Sequence, residues 1–312
     1  MAIDYFSRPI LGAISAFLWL VYAAPVLADT STMRAAYTCA EQPKFIPKVG
    51  MKQPVAIDTQ QSLFPGLVVT ELREPKRTFR HPSWNQTGYL ASTVRDGAGN
   101  IYAIPTPSIG LEHNPLERRN YLYRVESETG LMRVFTKLPA QEVASQSNPF
   151  GTLGVTLDCD TQILYVSSVA DSTPSEIRGA IYRVDINSGE IISVWRGVDA
   201  IGLGIFDYGS GKRLYYGDAR SSSVFSVALT HNGDFIRPVV PRHEFSLLNL
   251  KNGNSTQVRK IRFVKHRKYG FMMVASETEF SYRLTARGVK PYRHYQFVRD
   301  SENLNWTFVG FQ

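Results

Sequence analysis

A strand–turn–strand pattern returns four times along this chain, and it restricts the fold more than any other feature. Leu122 to Val125 leads through Gly130 to Leu131–Phe135, and Ile181 to Asp185 leads through Gly189 to Ile191–Trp195. Val224 to Val227 leads through Gly233 to Phe235 and Ile236, and Ser281 to Leu284 leads through Gly288 to Tyr292–Tyr295. Each copy sets alternating apolar and polar residues on both sides of a short polar turn containing glycine, the pattern of a β-hairpin. A recurrence of roughly 45–60 residues lies in the range of propellers and solenoids.

A second kind of hairpin precedes each copy. Leu90 to Val94 turns at Asp96–Asn100 into Ile101–Ile104, and Leu153 to Leu157 turns at Asp158–Asp160 into Ile163–Val166. Gly202 to Phe206 turns at Asp207–Gly211 into Leu214–Gly217, and Ile261 to Val264 turns at His266–Lys268 into Phe271–Val274. The first strand of each is apolar at nearly every position, as expected of a strand covered on both faces. Two hairpins make a four-stranded antiparallel blade, and radial repetition of blades closes into a β-propeller. The expected class is therefore all-β, with complete blades near 89–136, 152–195, 201–240 and 258–298. A degenerate ribbon at 67–79 needs inner strands, and Asn305 to Phe311 is expected to supply one, closing the ring from the C-terminus. The count is five, or six if residues 30–66 hide another blade.

The 312 residues are 43% hydrophobic, 20% charged and 12% aromatic, enough for a packed sheet core and against wholesale disorder. Net charge is +8, but it is unevenly spread. Residues 242–300 hold 13 Lys/Arg against 4 Asp/Glu, leaving 22 against 23 elsewhere. This basic last blade is either a solvated face or a site for an anionic surface or polysaccharide. No specific nucleic-acid partner is expected.

Residues 1–28 read as a secretory signal: Arg8, an apolar run from Ile10 to Ala24, then Val26–Ala28 with small residues before Asp29. The alternative is an uncleaved anchor. Residues 29–66 carry Pro43, Pro47, Pro54 and Pro65 and read as a wrapping segment, with the propeller at 67–312. The expected location is secreted or periplasmic. Cys39, in the wrapping segment, and Cys159, in a strand turn, are the only cysteines. An oxidising compartment allows them to pair; two free buried thiols are the alternative.

The stretch Ile201 to Asp218 and its continuation Val224–Val227 resemble the blade motif of the senescence-marker-protein/gluconolactonase family, and 152–185 is similar but looser. Strictosidine-synthase-like and NHL-type propellers share this strand grammar. The resemblance implies a propeller. It also implies a divalent metal, usually calcium, held by oxygen side chains ahead of the inner strands, which opens lactone or phosphoester bonds as a Lewis acid. The family's Asn position is Ile201 here, its Asp neighbourhood reads Ser255–Thr256–Gln257–Val258–Arg259–Lys260, the earlier blade has Leu153, and Glu71 and Glu74 lie too far upstream to align.

Three carboxylates or amides are candidates for the channel. Asp218 reads as a turn cap or a blade-end ligand, Asp199 as a channel or solvated loop carboxylate, and Asn148 as a funnel oxygen or a turn starter. The six histidines show no zinc spacing and read as surface or loop residues. No G-x-S-x-G, P-loop or H-E-x-x-H motif is present. The connections Pro105–Asn120 and Ser168–Arg178 exceed what a hairpin needs, so Glu112, His113, Glu117, Arg118 and Arg119 are candidates for rim binding. The expectation is a propeller that binds a protein or small-molecule ligand at one rim, with no cofactor. The rivals are a calcium-dependent lactonase or esterase with rearranged ligands, and a metal-free strictosidine-synthase-like enzyme using a funnel carboxylate.

Overall fold

A computed structural model describes residues 33–35, 38–59, 64–73, 77–141, 145–250, 253, 256–284, 292–299 and 305–312. The expected signal at 1–28 lies outside them, as do Glu74 and Gly288. No helix among the described residues is long and apolar enough to cross a membrane.

The described residues open with a short strand, β1 (Arg34–Ala35), and a single helical turn, α1 (Phe45–Lys48). Five antiparallel blades follow. The first holds β2 (Val55–Asp58), β3 (Val68–Glu71) and β4 (Thr78–Phe79). The second runs β5 (Leu90–Arg95), β6 (Ile101–Pro105), β7 (Tyr121–Val125) and β8 (Met132–Lys137). The third runs β9 (Thr152–Asp158), β10 (Ile163–Ser168), β11 (Ala180–Asp185) and β12 (Ile191–Arg196). The fourth runs β13 (Ala200–Asp207), β14 (Lys212–Asp218), β15 (Ser223–Leu229) and β16 (Arg242–Ser246). The fifth runs β17 (Gln257–His266), β18 (Gly270–Thr278), β19 (His294–Arg299) and β20 (Trp306–Phe311). The protein is a five-bladed β-propeller.

Each strand's two side-chain rows point to opposite blade faces, so a blade contributes one row to each neighbour. Tyr102, Ile104 and Leu122 of the second blade meet Val155, Leu157 and Leu164 of the third. Tyr165 and Ile181 of the third meet Leu203, Ile205 and Tyr216 of the fourth. Phe206, Tyr215 and Val224 of the fourth meet Ile261, Phe263 and Phe297 of the fifth. Val55, Leu67 and Val69 of the first meet Ile101, Tyr123 and Val125 of the second, with Phe45, Ile46 and Trp84 filling the wedge. Blades four and five close tightly because Gly217 has no side chain: a Cβ there would lie 2.0 Å from the Val258 carbonyl oxygen.

Three strand expectations are corrected. Residues 281–284 do not form a strand, and the outer hairpin of the fifth blade is β19–β20 instead. Tyr282 turns inward to bond a buried carboxylate, which takes its segment out of the ladder. Phe235 makes only an isolated bridge to Leu229, and β16 is the fourth strand of its blade. Phe235 packs among Tyr165 and Trp195, and Asp234 pairs with Arg183 of the third blade, so this turn bends across the seam. The C-terminal strand β20 is the outer edge of the fifth blade; the inner strand beside β3 is β2, from within the expected wrapping segment.

The lead is fastened at the end of the ring where the hairpin turns lie. Arg34 and Ala35 pair with Asp207 and Phe206 on the axial edge of β13. Cys39 and Cys159 form a disulfide with 5.8 Å between Cα atoms and 120 residues between partners. Arg34 pairs with Asp160 at 2.5 Å, and the buried Lys212 ammonium bridges Asp158 and Asp160 at 3.0 and 2.7 Å.

Candidate binding face

Inner strands all run from one face of the ring to the other, so the connections sort by face. The hairpin turns gather with the lead. The described parts of the long connections, 106–120, 138–141 with 145–151, 169–179, and 279–284 with 292–293, gather on the opposite face. The two loops singled out from length therefore share one rim.

Below their tips the loops are tied together by buried polar side chains. Arg119 is buried; its Nη1 donates to the Asn148 carbonyl at 3.0 Å, and its carbonyl accepts from the Thr152 amide at 2.9 Å. The Asn148 side-chain amide donates to the Val169 and Ser172 carbonyls at 2.6 and 2.7 Å. Asp199, with a side chain fully shielded from solvent, accepts from Ser172 Oγ at 2.5 Å, the Gly179 amide at 3.0 Å, Arg220 Nε at 2.8 Å and Tyr282 Oη at 2.6 Å. Arg220 spends its remaining donors on the Pro174, Thr173 and Glu176 carbonyls, and its guanidinium lies 4.9 Å above the Tyr282 ring. Burial, reinforced by the Asp199 hydrogen bond and charge, raises the Tyr282 pKa far above that of a free phenol.

Asp199 is thus neither a solvated loop residue nor an open channel group: it is the buried knot between the third-, fourth- and fifth-blade loops. Asn148 is likewise consumed by the loop it starts. Asp218 caps its turn, accepting from Ser221 Oγ at 2.6 Å and the Arg220 amide at 3.3 Å, and burial raises its pKa. Arg220, Ser172 and Tyr282 were invisible as members of this knot, because their partners lie 21 to 83 residues away.

The remaining rim candidates separate. Glu112, His113, Glu117 and Arg118 are exposed, whereas Arg119 is structural. Arg118 donates to the Gln86 carbonyl at 2.7 Å, and the His113 ring meets Tyr89 edge-on at 5.6 Å. Sequence length alone did not mark Ile109 and Ile177, which stand on the same two loops with 80% and 50% of their surface open. The rim therefore presents apolar tips beside carboxylates on a fixed base.

The positions where the resemblance would place calcium do not suit a hard cation. Ile201 and Leu153 pack with Phe150, Val169, Ala219 and Tyr282 in an apolar cluster, and Arg259 and Lys260 occupy the next blade. Among the described residues no three His, Cys, Asp or Glu side chains converge as a metal site.

No protein-family model matches the sequence, and no curated protein sequence matches it. Among solved structures, an exo-β-1,3-galactanase from Phanerochaete chrysosporium is similar at 15% identity and TM-score 0.44, over 72% of this chain and 49% of that one. An endo-arabinase from Bacteroides thetaiotaomicron gives 10% identity and TM-score 0.39 over 67% and 75% of the two chains. A glucose dehydrogenase gives 12% identity and TM-score 0.42 over 72% and 74%. The chain spans about half the length of the galactanase.

Proposed function

We propose that this propeller works outside the cytosol, binding a ligand or protein partner through its loop-bearing rim and without a catalytic metal. One observation carries the reading: the two long loops are welded at their base by buried Arg119, Asn148 and Asp199 and half-buried Arg220, while their tips hold Ile109, Glu112, Glu117 and Ile177 out to solvent. A fixed base with exposed, mixed-character tips is how a rigid scaffold presents a binding surface. The Cys39–Cys159 bond supports an oxidising compartment. The apolar packing of Ile201 and Leu153 supports binding over metal-assisted hydrolysis.

The test is differential scanning fluorimetry against neutral and acidic oligosaccharides, lactones and aryl esters, on the wild type and on a variant with Ile109→Ala, Glu112→Gln, Glu117→Gln and Ile177→Ala. A compound that raises Tm in the wild type and not in the variant supports the rim. Thermal stabilisation by calcium that chelator reverses, or turnover of a lactone or ester, would overturn the metal-free binding reading.

A further inference from the structure

Four of the five seams are apolar; the one that closes the ring is not. Among the described residues, none of the hydrophobic clusters draws on both the fifth and the first blade. The ladders show why. Ile57, Val69 and Phe79 of the first blade share the face toward the second, which leaves Ala56, Thr70 and Thr78 on the face toward the fifth, with Asp58 beside Val68. On the fifth blade, Ile261, Ala275 and Tyr295 face the fourth. The other row holds Lys260, Ser276 and His294, then Arg262, Val274 and Gln296. Small, hydroxyl and acidic side chains of one blade, with buried Val68, therefore oppose a row of the other in which Lys260, Arg262 and His294 stand beside buried Val274.

The cations are near one another. Lys260 is open to solvent over much of its side chain, yet the protein around its ammonium desolvates it enough to lower the pKa; Arg262 and Arg259 lower it further, and Asp58 of the first blade opposes them. Burial also lowers the His294 pKa, with Arg262, Lys260 and Arg259 adding to it and Glu277 opposing. His294 Nδ1 shares a hydrogen bond with Ser276 Oγ at 2.8 Å, and the Arg259 guanidinium lies 5.7 Å over the Tyr292 ring. The Nε of Arg262 is buried with no hydrogen-bond acceptor among the described residues. All six histidines are expected on surfaces or loops; His294 instead opens β19, half-buried. The basic excess of the last blade is likewise not one face: Lys265, Arg267 and Lys268 sit at the opposite end, and Arg299 lies against Tyr208, 3.9 Å from its ring centroid.

We infer that the seam between the fifth and first blades is an oxyanion site, in which Lys260, Arg262 and His294 receive the carboxylate of an acidic sugar or a phosphate group. Like charges held together in a partly desolvated cleft raise each other's energy, and a bound anion offsets that cost. An arginine fork and an ammonium suit such a group, one by bidentate bonding and the other as a point charge. β17 and β19 both begin at the loop-bearing face, so Lys260 and His294 lie toward that end of the seam, and the site uses none of the rim candidates. The inference is independent of the rim reading.

The experiment is isothermal titration of the whole protein with inorganic phosphate and, separately, with trigalacturonate, beside the variants K260Q and R262Q. His294 is followed by NMR through its imidazole resonances. Saturable binding of either probe that weakens about tenfold per substitution and weakens with added salt is the expected result. The anion should also raise the His294 pKa. The probe that binds more tightly names the source of the oxyanion. Lys260 is exposed, so K260Q folds even if R262Q does not. No saturable binding of either probe, affinity unchanged in K260Q, or a His294 titration indifferent to the anion would overturn the site. The rim variant, which keeps the seam, should bind both probes normally.

Discussion

Replacing Cys39 and Cys159 together by Ser opens a cross-link that closes a loop of 120 residues. In the chain-entropy account, releasing a loop of that length frees the unfolded state by about 4.9 kcal/mol at 25 °C. Unfolding entropy near 2.1 cal/mol/K per residue over roughly 280 folded residues amounts to about 0.6 kcal/mol/K, so Tm should fall by about 8 °C. The β1–β13 pairing and the Arg34–Asp160 pair remain in the variant, so the blades keep their packing and the loss comes from the unfolded side. Urea denaturation carries that signature. The variant's unfolded chain is less constrained and exposes more surface, so its m value should rise as its midpoint drops. Scanning calorimetry and urea titration, with a thiol count on the native wild type, make the assay. A variant melting within 1 °C of the wild type with unchanged m would refute the reasoning, as would two titratable thiols in the native protein.

Three further outcomes follow from buried groups. Asp199→Ala leaves the Arg220 guanidinium beneath the loops without its carboxylate and should cost about 3–5 kcal/mol in urea unfolding, with the 169–179 loop gaining hydrogen exchange. Lys212→Met strips Asp158 and Asp160 of their cation and should cost about 3 kcal/mol at pH 7. Burial opposes ionisation of Asp160, but the bonds from Lys212 and Arg34 outweigh it and depress its pKa; burial likewise opposes Lys212, whose pKa the two aspartates raise. The Asp160 contribution is thus present above its unfolded pKa of about 3.9 and lost as pH falls through the lower folded value. The Lys212 contribution is complete below about pH 10.4 and lost above its raised folded value. The cost of Lys212→Met should therefore be level between about pH 5 and 9 and shrink on acidification, as urea titrations at several pH values would show. Gly217→Ala drives a methyl into the Val258 carbonyl and should cost about 3 kcal/mol or more, read as the drop in Tm.

The inner hairpins were legible because they are local. Leu153–Leu157 and Ile163–Val166, or Gly202–Phe206 and Leu214–Gly217, pair across turns of a few residues, and burial on both faces writes itself as an unbroken apolar run. The disulfide was legible as one of two alternatives, from two cysteines and an apolar leader. The outer strands were less so. Ser281–Leu284 carries strand-like alternation, but the hydrogen bond from Tyr282 to Asp199, 83 residues earlier, sets its position.

What the sequence alone determined is the repeat, and through it the all-β blades and the rim on which the long loops stand; it left five or six blades open, and the structure decided on five. Only the tertiary structure decided which polar residues are structural. Arg119, Asn148 and Asp199 look like open ligands in the sequence, but the packing of the blades sets Arg119 on the Asn148 carbonyl, Asn148 on the Ser172 carbonyl, and Ser172, Arg220 and Tyr282 on Asp199, which uses their bonding capacity. It likewise decided that Lys260, Arg262 and His294 meet in one seam, because strand register, not spacing along the chain, sets which side chains share a face.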